Sequence, residues 1–305
     1  MISIAISVFN YDCTRLIEEL EQSCGVARVD YEILIGNDGS TDKEVIAALS
    51  DMAKMPHCRV INEERNIGKA FVLNHLSHLA TYPYLIIIDS DARLPSDDFI
   101  ETYIKYAVGQ DVVCGGIATS SIYRRRDNLL RYRYEVAASQ MRTVDWRRQH
   151  PYARLSTFNL LIRRNVFEHI RFDKHCFQYG YEDTVLGIDL MREGYHILHI
   201  DNPLIHTGID SNMSFMRKTR QALHVLLGLD PYYKERIRLS RTAMTLERKH
   251  LLGFVHWWHH LFGSLEEKIL MRWPSLWLFN LYKLGYYSLL LRGEDPDPDL
   301  QPKNQ

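Results

Sequence analysis

Residues 84–91 read Tyr-Leu-Ile-Ile-Ile-Asp-Ser-Asp, an uninterrupted apolar run that ends on two carboxylates. A short apolar run without polar alternation is typical of a strand that is buried on both faces. In extended backbone the side chains of Asp89 and Asp91 share one face, where they can hold a divalent cation through oxygen. The triplet alone is weak evidence for a metal site, because Asp also caps the turns that follow strands.

Three similar apolar runs precede this one, and each is followed by a helical pattern. In chain order, the runs and the helices between them are 2–8, 14–23, 31–36, 42–52, 59–62 and 68–80. The alternation predicts an α/β fold, a Rossmann-like, mostly parallel sheet flanked by helices. Ligands of such sheets bind beyond the carboxyl ends of the strands. We therefore expect the polar clusters that begin at Phe9, Asp38, Arg65 and Asp89 to meet at one edge.

The pattern changes downstream of this half. Further strands are expected at 156–162 and 194–200, and further helices at 184–192, 215–229 and 232–248. Four of the five tryptophans lie between residues 251 and 291, in a helical, aromatic-rich segment. We expect a first domain over 1–210, with halves 1–120 and 121–210, then a helical extension over 211–292 and a disordered tail over 293–305.

The net charge of −1 conceals three different segments. Residues 1–120 carry 9 basic and 18 acidic side chains, residues 121–171 carry 12 and 4, and the remainder carries 16 of each. Hydrophobic residues at 46% and charged residues at 25% exclude wholesale disorder. Nucleic acid is not an expected partner, because the total charge is not basic and no binding motif accompanies the arginines.

The cysteines and the N-terminal residues indicate the cellular compartment in which the protein is expected. Five cysteines are an odd number without a CxxC pair, so neither a disulfide framework nor a zinc cluster is indicated. The apolar residues 1–9 lack a charged lead and are one strand long, which argues against a signal peptide. We expect a reduced, cytoplasmic protein, with the inner face of the cytoplasmic membrane as an alternative position.

Taken in order, the clusters at 7–10, 37–42, 65–70 and 89–92 resemble the nucleotide-sugar-binding half of the GT-A glycosyltransferases, specifically glycosyltransferase family 2. Their sequences are Ser-Val-Phe-Asn, Asn-Asp-Gly-Ser-Thr-Asp, Arg-Asn-Ile-Gly-Lys-Ala and Asp-Ser-Asp-Ala. The resemblance covers about residues 1–208, and further positions that match it are 158–164, Phe172-Asp173, 180–183, Gly194-Tyr195 and His206. The ordered set is far more specific than any single motif.

For the donor, the resemblance implies a nucleotide diphosphate sugar. Phe9 and Asn10 would contact the nucleotide, with the Phe9 ring stacked on the base. Asp38 would accept a hydrogen bond from a ring N–H of the base, which uracil offers, so UDP is favoured. Arg65 would lie near the base or the phosphates, a task suited to a planar guanidinium. The family usually has two acids before the glycine, and Asn37 replaces the first of them.

For metal and catalysis, the resemblance implies three kinds of residue. Asp91, Asp89 and His206 would hold Mn²⁺ or Mg²⁺, which suit oxygen ligands with one imidazole. Asp183 would be the general base that deprotonates an acceptor hydroxyl, with Glu182 and Tyr181 on the acceptor side. The alternative for the acidic pair is structural, since acids at a helix N-terminus stabilise its dipole by about 0.3–1 kcal/mol.

Two regions keep more than one interpretation. The arginines between residues 124 and 154 could meet an anionic acceptor or form a solvated face paired with the acidic segment. The segment 251–291 could contact a membrane peripherally, cap the core or form a homo-oligomer interface. It does not make a convincing transmembrane span, because Arg272, Pro274, Asn280 and Lys283 interrupt it.

These expectations combine into one function with two alternatives. The main interpretation is an inverting, metal-dependent glycosyltransferase that moves a sugar from a nucleotide diphosphate to a glycan or glycolipid hydroxyl, in cell-surface polysaccharide synthesis. A sugar-1-phosphate nucleotidylyltransferase is an alternative, although that class needs an N-terminal glycine-rich loop and the first glycine here is Gly25. The other alternative is a non-catalytic relative that binds glycan or membrane.

Overall fold

A computed structural model describes residues 1–172 and 179–298 of the chain. Within these residues there are two compact units, which we call the N-terminal unit (1–123, 138–172 and 182–208) and the C-terminal unit (124–137, 179–181 and 209–298). Of the positions discussed above, Asp173, Cys176 and the tail residues 299–305 lie outside the described residues.

The N-terminal unit is built on a seven-stranded sheet. Its strands are β1 (Ile2–Val8), β2 (Tyr31–Asn37), β3 (Cys58–Asn62), β4 (Tyr84–Asp89), β6 (Val112–Cys114), β8 (Asn159–Arg163) and β9 (Ile197–His199), and a smaller sheet contains β5 (Ala92–Arg93), β7 (Ile117–Thr119) and β10 (Leu204–His206). The order in the large sheet is β3-β2-β1-β4-β8-β6-β9. Only β8 runs antiparallel to its neighbours among these seven strands. The predicted mostly parallel α/β fold is confirmed.

Helices flank the sheet and form most of the C-terminal unit. They are α1 (Thr14–Ala27), α2 (Lys43–Met52), α3 (Lys69–Leu79), α4 (Phe99–Ala107), α5 (Leu129–Ser139), α6 (Val144–Gln149), α7 (Arg164–Ile170), α8 (Glu182–Arg192), α9 (Asn212–Gly228), α10 (Pro231–Lys234), α11 (Arg238–Arg248), α12 (Leu252–Arg272) and α13 (Leu276–Leu291). The sequence predicts one helix over 232–248, but the extended backbone of Ile237 separates α10 from α11.

The core of the N-terminal unit explains the continuous apolar runs. Ile4 and Ile6 of β1 and Ile86 and Ile88 of β4 are fully or almost fully buried, because helices cover both faces of the sheet. Where the strands end, short polar segments provide helix caps. Asp42, for example, accepts hydrogen bonds from the backbone N–H groups of Glu44 and Val45 at the start of α2.

The small sheet joins segments that are far apart in sequence. β10 pairs antiparallel with β5, with His206 opposite Ala92, and parallel with β7. Because Ala92 directly follows Asp91, this pairing brings residue 206 to the end of β4. Neither β5 nor β7 is evident from the sequence pattern, since each has only two or three residues.

The segment 124–137 differs from the expected division of the chain. The prediction includes it in a domain over 1–210, but it packs within the C-terminal unit. The backbone N–H of Leu130 in α5 donates to Asn212 Oδ1 at 2.8 Å, and Arg133 donates to the carbonyl of Pro274 at 2.5 Å. Tyr134 adds ring contacts with Phe215 and Phe279. These long-range contacts are invisible in a weakly periodic sequence.

Helices α12 and α13 form an antiparallel pair, which we call the hairpin. The two helices approach closely where His259 faces Gly285, since a Cβ at residue 285 would overlap the His259 ring. Over the described part of the chain, none of the helices combines enough length and apolar character to cross a bilayer. The predicted disordered tail begins beyond the hairpin, but Asp297 accepts a hydrogen bond from Tyr286 Oη at 3.0 Å.

Candidate functional site

Asn10 ties together the first two loops at the carboxyl edge of the sheet. Its Oδ1 accepts hydrogen bonds from the backbone N–H groups of Thr41 at 2.7 Å and Asp42 at 2.9 Å. Asn10 adopts a left-handed backbone with φ of 49°, which Asn tolerates better than most residues. The neighbouring Phe9 side chain remains 48% exposed at this edge. Phe9 is therefore open to a ligand, whereas the Asn10 amide is engaged within the protein.

Asp38 is a buried carboxylate that holds the third loop. Its Oδ1 accepts from the backbone N–H of Ile67 at 2.6 Å, and its Oδ2 accepts from that of Gly68 at 3.1 Å. Only 3% of the residue is exposed, and this burial raises the pKa of Asp38 to about 6 despite the two N–H donors. A carboxylate has about four acceptor positions, so it keeps capacity for one further donor.

The third loop carries Arg65 to the same edge. The Arg65 backbone lies so close to Gly39 that a Cβ there would overlap it, and Gly39 has a positive φ of 68°. Asn37, which replaces the usual acid, donates to Asn62 Oδ1 at 2.9 Å and accepts from the backbone N–H of Ser40 at 3.0 Å. The amide thus joins β2, β3 and the loop in a neutral arrangement.

Asp89 forms an ion pair with Lys69, a residue to which the sequence analysis gives no role. Burial alone would lower the pKa of Lys69, but Asp89, Asp183 and Glu182 raise it above its ordinary value. Burial raises the pKa of Asp89, while Lys69 opposes that shift. Lys69 therefore pairs with Asp89 of β4, and its positive charge is also stabilised by the two carboxylates at the start of α8.

Asp91 lies beside His206 as the resemblance implies. Their Oδ2 and Nε2 atoms are 3.1 Å apart. The backbone carbonyl of Asp91 accepts from the N–H of Thr207 at 2.9 Å and from its hydroxyl at 2.7 Å. Tyr11 Oη completes the arrangement at 3.0 Å from Thr207 Oγ1. The β5–β10 pairing and Thr207 together fix the position of Asp91.

Gly208 is a further determinant that the sequence analysis did not identify. A Cβ at this position would overlap the carboxylate and the Cβ of Asp91. Only glycine leaves room for the aspartate side chain at this close approach. Its place directly after the His206-Thr207 pair is the signal in the sequence that could have drawn attention to it.

Asp183 is held by two hydroxyl-bearing residues that precede β8. Thr157 donates to Oδ1 through its backbone N–H at 3.1 Å and its hydroxyl at 2.6 Å, and Ser156 Oγ donates to Oδ2 at 3.0 Å. Three donors fix the carboxylate and leave one acceptor position open. Glu182 is half-buried at the start of α8. Tyr181 belongs to the C-terminal unit and has a positive φ of 65°.

Most of the arginines between residues 124 and 154 have structural partners. Arg147 is buried and donates to the carbonyls of Cys114 at 2.9 Å and Ile200 at 2.8 Å. Other partners of the cluster, each within its own unit, are the carbonyl of His199 for Arg148, the carbonyl of Ile209 for Arg125, and Glu135 for Arg131. Arg124 and Arg126 are exposed. The arginines with partners inside the protein therefore fit neither contact with an anionic acceptor nor a solvated face paired with the acidic segment.

The predicted metal ligands are only partly assembled. Across residues 1–172 and 179–298 there is no group of three or more His, Cys, Asp or Glu side chains arranged to hold a metal ion. Two cis ligands of an octahedral cation with bonds of about 2.1 Å lie about 3 Å apart, close to the Asp91–His206 separation of 3.1 Å. This pair fits a divalent cation, whereas Asp89 is engaged by Lys69.

The sequence matches a known family. The profile described as glycosyl transferase family 2 matches residues 3–171. Over 117 residues the chain is 32% identical to undecaprenyl-phosphate 4-deoxy-4-formamido-L-arabinose transferase of Enterobacter sp. (strain 638), covering 37% of this chain and 35% of that protein. It is 25% identical over 113 residues to the uncharacterized glycosyltransferase YkcC of Bacillus subtilis (strain 168), covering 36% and 35%. The chain thus spans about a third of the length of these curated relatives.

Two solved structures share the fold. Mannosyltransferase PcManGT from Pyrobaculum calidifontis, in complex with GDP-Man and Mn²⁺, gives a TM-score of 0.56 at 14% identity, covering 95% of this chain and 86% of that one. Residues 1–349 of TarS from S. aureus give a TM-score of 0.51 at 14% identity, covering 96% and 91%. At such low identity the likeness concerns the fold alone.

Proposed function

The chain belongs to glycosyl transferase family 2, and from this membership we propose that it is an inverting, metal-dependent glycosyltransferase. It moves a sugar from a nucleotide diphosphate to a hydroxyl of a glycan or lipid-linked acceptor. One observation carries the proposal: Asp89 at the end of β4 forms an ion pair with Lys69, and the charge of Asp183 at the start of α8 also raises the pKa of this lysine. The matched family is one of glycosyl transferases, so we set aside the alternative that the chain is a sugar-1-phosphate nucleotidylyltransferase.

Asp183 is the proposed general base. A sugar hydroxyl is too weakly acidic to attack unaided, so a positioned carboxylate must take its proton as the new bond forms. The acceptor oxygen attacks the anomeric carbon, the bond from that carbon to the diphosphate oxygen breaks, and the nucleotide diphosphate leaves with the electron pair. Ser156 and Thr157 support this role, because their hydrogen bonds fix the carboxylate and leave one acceptor position free.

Asp91 and His206 are the proposed protein ligands of Mn²⁺ or Mg²⁺, with Asp89 close by. When bound, a divalent cation neutralises the diphosphate and stabilises it as a leaving group. The Mn²⁺ in the PcManGT complex supports divalent metal use by a protein of this fold. Lys69 holds Asp89 and supplies a fixed positive charge at the same edge.

UDP is the proposed nucleotide, although PcManGT is in complex with GDP-Man. Asp38 supports the choice, because its remaining acceptor position suits a ring N–H of uracil. The exposed Phe9 ring offers a surface for base stacking. Arg65 would contact the base or the phosphates, and Asn10 would act by fixing the loops around the nucleotide.

A lipid-linked acceptor is proposed from the Enterobacter relative, whose name specifies undecaprenyl phosphate. Glu182 and Tyr181, which are neighbours in the chain, would position the acceptor. Such acceptors are used in cell-surface polysaccharide synthesis at the inner face of the cytoplasmic membrane. The buried free thiols of Cys13, Cys24, Cys58 and Cys114 suit that reducing side.

The test is donor binding and turnover without a known acceptor. UDP-, GDP- and dTDP-sugars are incubated with Mn²⁺, and the release of nucleotide diphosphate is followed, while calorimetry measures UDP affinity with Mn²⁺ and with EDTA. We expect release from UDP-sugars, an affinity that EDTA lowers, and loss of both in Asp91→Asn. The exposed control Asp51→Asn should match the wild type.

A non-catalytic relative predicts the opposite result. UDP affinity that neither EDTA nor Asp91→Asn changes, together with no nucleotide release from any donor, would contradict the proposed function. Preference for GDP-sugars would keep the reaction and overturn the assignment of UDP.

A further inference from the structure

Helix α12 exposes a line of large apolar side chains. Large apolar side chains at spacings of three and four residues lie on one face of the helix, and they are Phe254, Trp257, Trp258, Leu261 and Leu265. All five are exposed, including 52% of Trp257. We call these five residues the aromatic stripe. Such a continuous apolar face usually marks an interaction site.

The stripe continues across the turn of the hairpin. Trp273 and Trp277, beyond the end of α12, are 67% and 74% exposed. A helical cap over the core, one of the interpretations of this segment, would have buried these indoles within the chain. Their exposure is inconsistent with that role and leaves a lipid surface or a second copy as the occupant.

The carboxylates of α12 are turned away from this surface. Glu266 is 3% exposed, and its oxygens lie 2.7 Å from His259 Nδ1 and 2.9 Å from Trp258 Nε1. Glu267 pairs with Arg220 at 2.9 Å. Both acids therefore have partners inside the C-terminal unit, His259 and Trp258 for Glu266 and Arg220 for Glu267.

The other charged side chains within residues 249–292 are positive, and Glu294, just beyond this range, lies 3.1 Å from His256 of α12. Residues 249–292 contain five cations, Lys249, Lys268, Arg272, Lys283 and Arg292, and the two carboxylates already described. Lys268 and Arg272 lie three and seven residues after Leu265, so they extend the line of the stripe and are exposed. A surface with apolar residues, indoles and exposed cations is complementary to anionic headgroups above acyl chains.

We propose that the aromatic stripe, together with Trp273, Trp277, Lys268 and Arg272, docks on an anionic lipid surface. The hairpin lies in the interface with its apolar face towards the acyl chains. A second copy of the chain fits less well, because a symmetric contact through this face would bring the exposed Lys268 and Arg272 of both copies together. This inference concerns where the protein works and needs neither the donor nor the acceptor of the proposed reaction.

Vesicle flotation tests the docking. The protein is mixed with vesicles of phosphatidylcholine alone or with phosphatidylglycerol, at low and high salt. We expect flotation with the anionic vesicles that weakens as salt rises. Replacing Lys268 and Arg272 by Gln together should lower the partition coefficient about 30-fold, since each cation near such a surface contributes about 1 kcal/mol.

Tryptophan fluorescence provides a second readout. In a Trp146→Phe background all remaining indoles lie in the hairpin region, so anionic vesicles should shift their emission to the blue. Trp257→Ser with Trp277→Ser should abolish flotation. Val108→Ser, which changes an exposed apolar residue of the N-terminal unit, should leave flotation unchanged. Circular dichroism confirms that each variant is folded.

Three outcomes would overturn the proposal: no flotation with either vesicle, equal flotation with both, or flotation that survives the paired tryptophan changes. Light scattering that shows a dimer dependent on Trp257 and Trp277, without flotation, would assign the stripe to a self-interface instead. UDP binding measured on the same preparation separates a failure of docking from a failure of the proposed reaction.

Discussion

At the sheet edge of the N-terminal unit, Asp38 is buried and Asp91 is enclosed by His206, Thr207 and Gly208. In the hairpin of the C-terminal unit, Trp273 and Trp277 are exposed. The sheet edge buries charged side chains away from water, and the hairpin leaves large apolar side chains exposed to water. Each arrangement costs free energy in isolation, because buried charge loses hydration and exposed indole orders water.

The comparison separates two kinds of functional surface. The sheet edge uses many hydrogen bonds to fix a few carboxylates, as a site for a small polar ligand requires. The hairpin fixes its inner face through His259, Glu266 and Gly285 and leaves large apolar side chains exposed on its outer face. Changes at the sheet edge should therefore act on activity, and they should have little effect on membrane docking.

The largest expected effect comes from Asp183→Asn. Removing a general base typically costs 10²- to 10⁴-fold in rate, so nucleotide release with acceptor should fall by about that factor. UDP affinity and vesicle flotation should remain at wild-type values. Rate assays, calorimetry and flotation on the same preparation check this separation.

The exposed carboxylate of Asp201 offers the matched control, and Asp201→Asn should retain full activity. Full activity in Asp183→Asn would remove this residue as the base. A loss of flotation in that variant would show that the two surfaces are not independent.

Gly208→Ala should have an intermediate effect. The added Cβ overlaps the Asp91 carboxylate, so the aspartate must move away from His206. Disturbing the surroundings of a metal ligand typically costs about 10- to 100-fold in metal affinity or activity. The Mn²⁺ concentration that gives half-maximal activity should rise, and a Mn²⁺ titration of nucleotide release measures it.

Gly25→Ala is the matched control, since a Cβ at that exposed position of α1 meets nothing within 4 Å. It should leave the Mn²⁺ titration unchanged and stabilise the helix by about 0.5–1 kcal/mol. Equal Mn²⁺ titrations for the two alanine variants would show that the close approach at Gly208 does not position Asp91.

The smallest expected effect is on stability. Burial raises the pKa of Asp38 from 3.8 to about 6, so the folded chain binds this proton more tightly than the unfolded chain does. The resulting stabilisation is complete below about pH 4 and is lost as pH rises through about 6. The wild-type minus Asp38→Asn difference in unfolding free energy should fall by about 3 kcal/mol across that range.

Denaturant unfolding at a series of pH values measures this difference. A difference for Asp38→Asn that is flat, or that grows with pH, would mean that the buried carboxylate is not destabilised by its surroundings.

Much of the N-terminal unit could be predicted from the sequence. The runs at 2–8 and 84–88 correspond to β1 and β4 because a strand buried on both faces is composed mostly of apolar residues. The predicted helices 14–23 and 68–80 match α1 and α3 within a few residues. The C-terminal unit was harder, because segment 124–137 is held by distant partners such as Asn212.

The candidate site divides in the same way. The motifs identified Asp91, His206 and Asp183 individually, and the structure brings Asp91 next to His206. It does not bring Asp89 into that pair, because Lys69 engages it. Lys69 resembled an ordinary surface cation in the sequence, since only the fold puts the carboxylates of α8 near it.

The amino-acid sequence by itself determined the α/β fold, the family and the order of the polar clusters, because strand and helix periodicity and short motifs are local properties. Only the tertiary structure decided which carboxylates are paired, why residue 208 must be glycine, and that the tryptophans face outwards. These features depend on contacts between segments as far apart as Asp91 and Gly208. Burial and ion pairing follow from the packed chain, whereas periodicity follows from neighbouring residues.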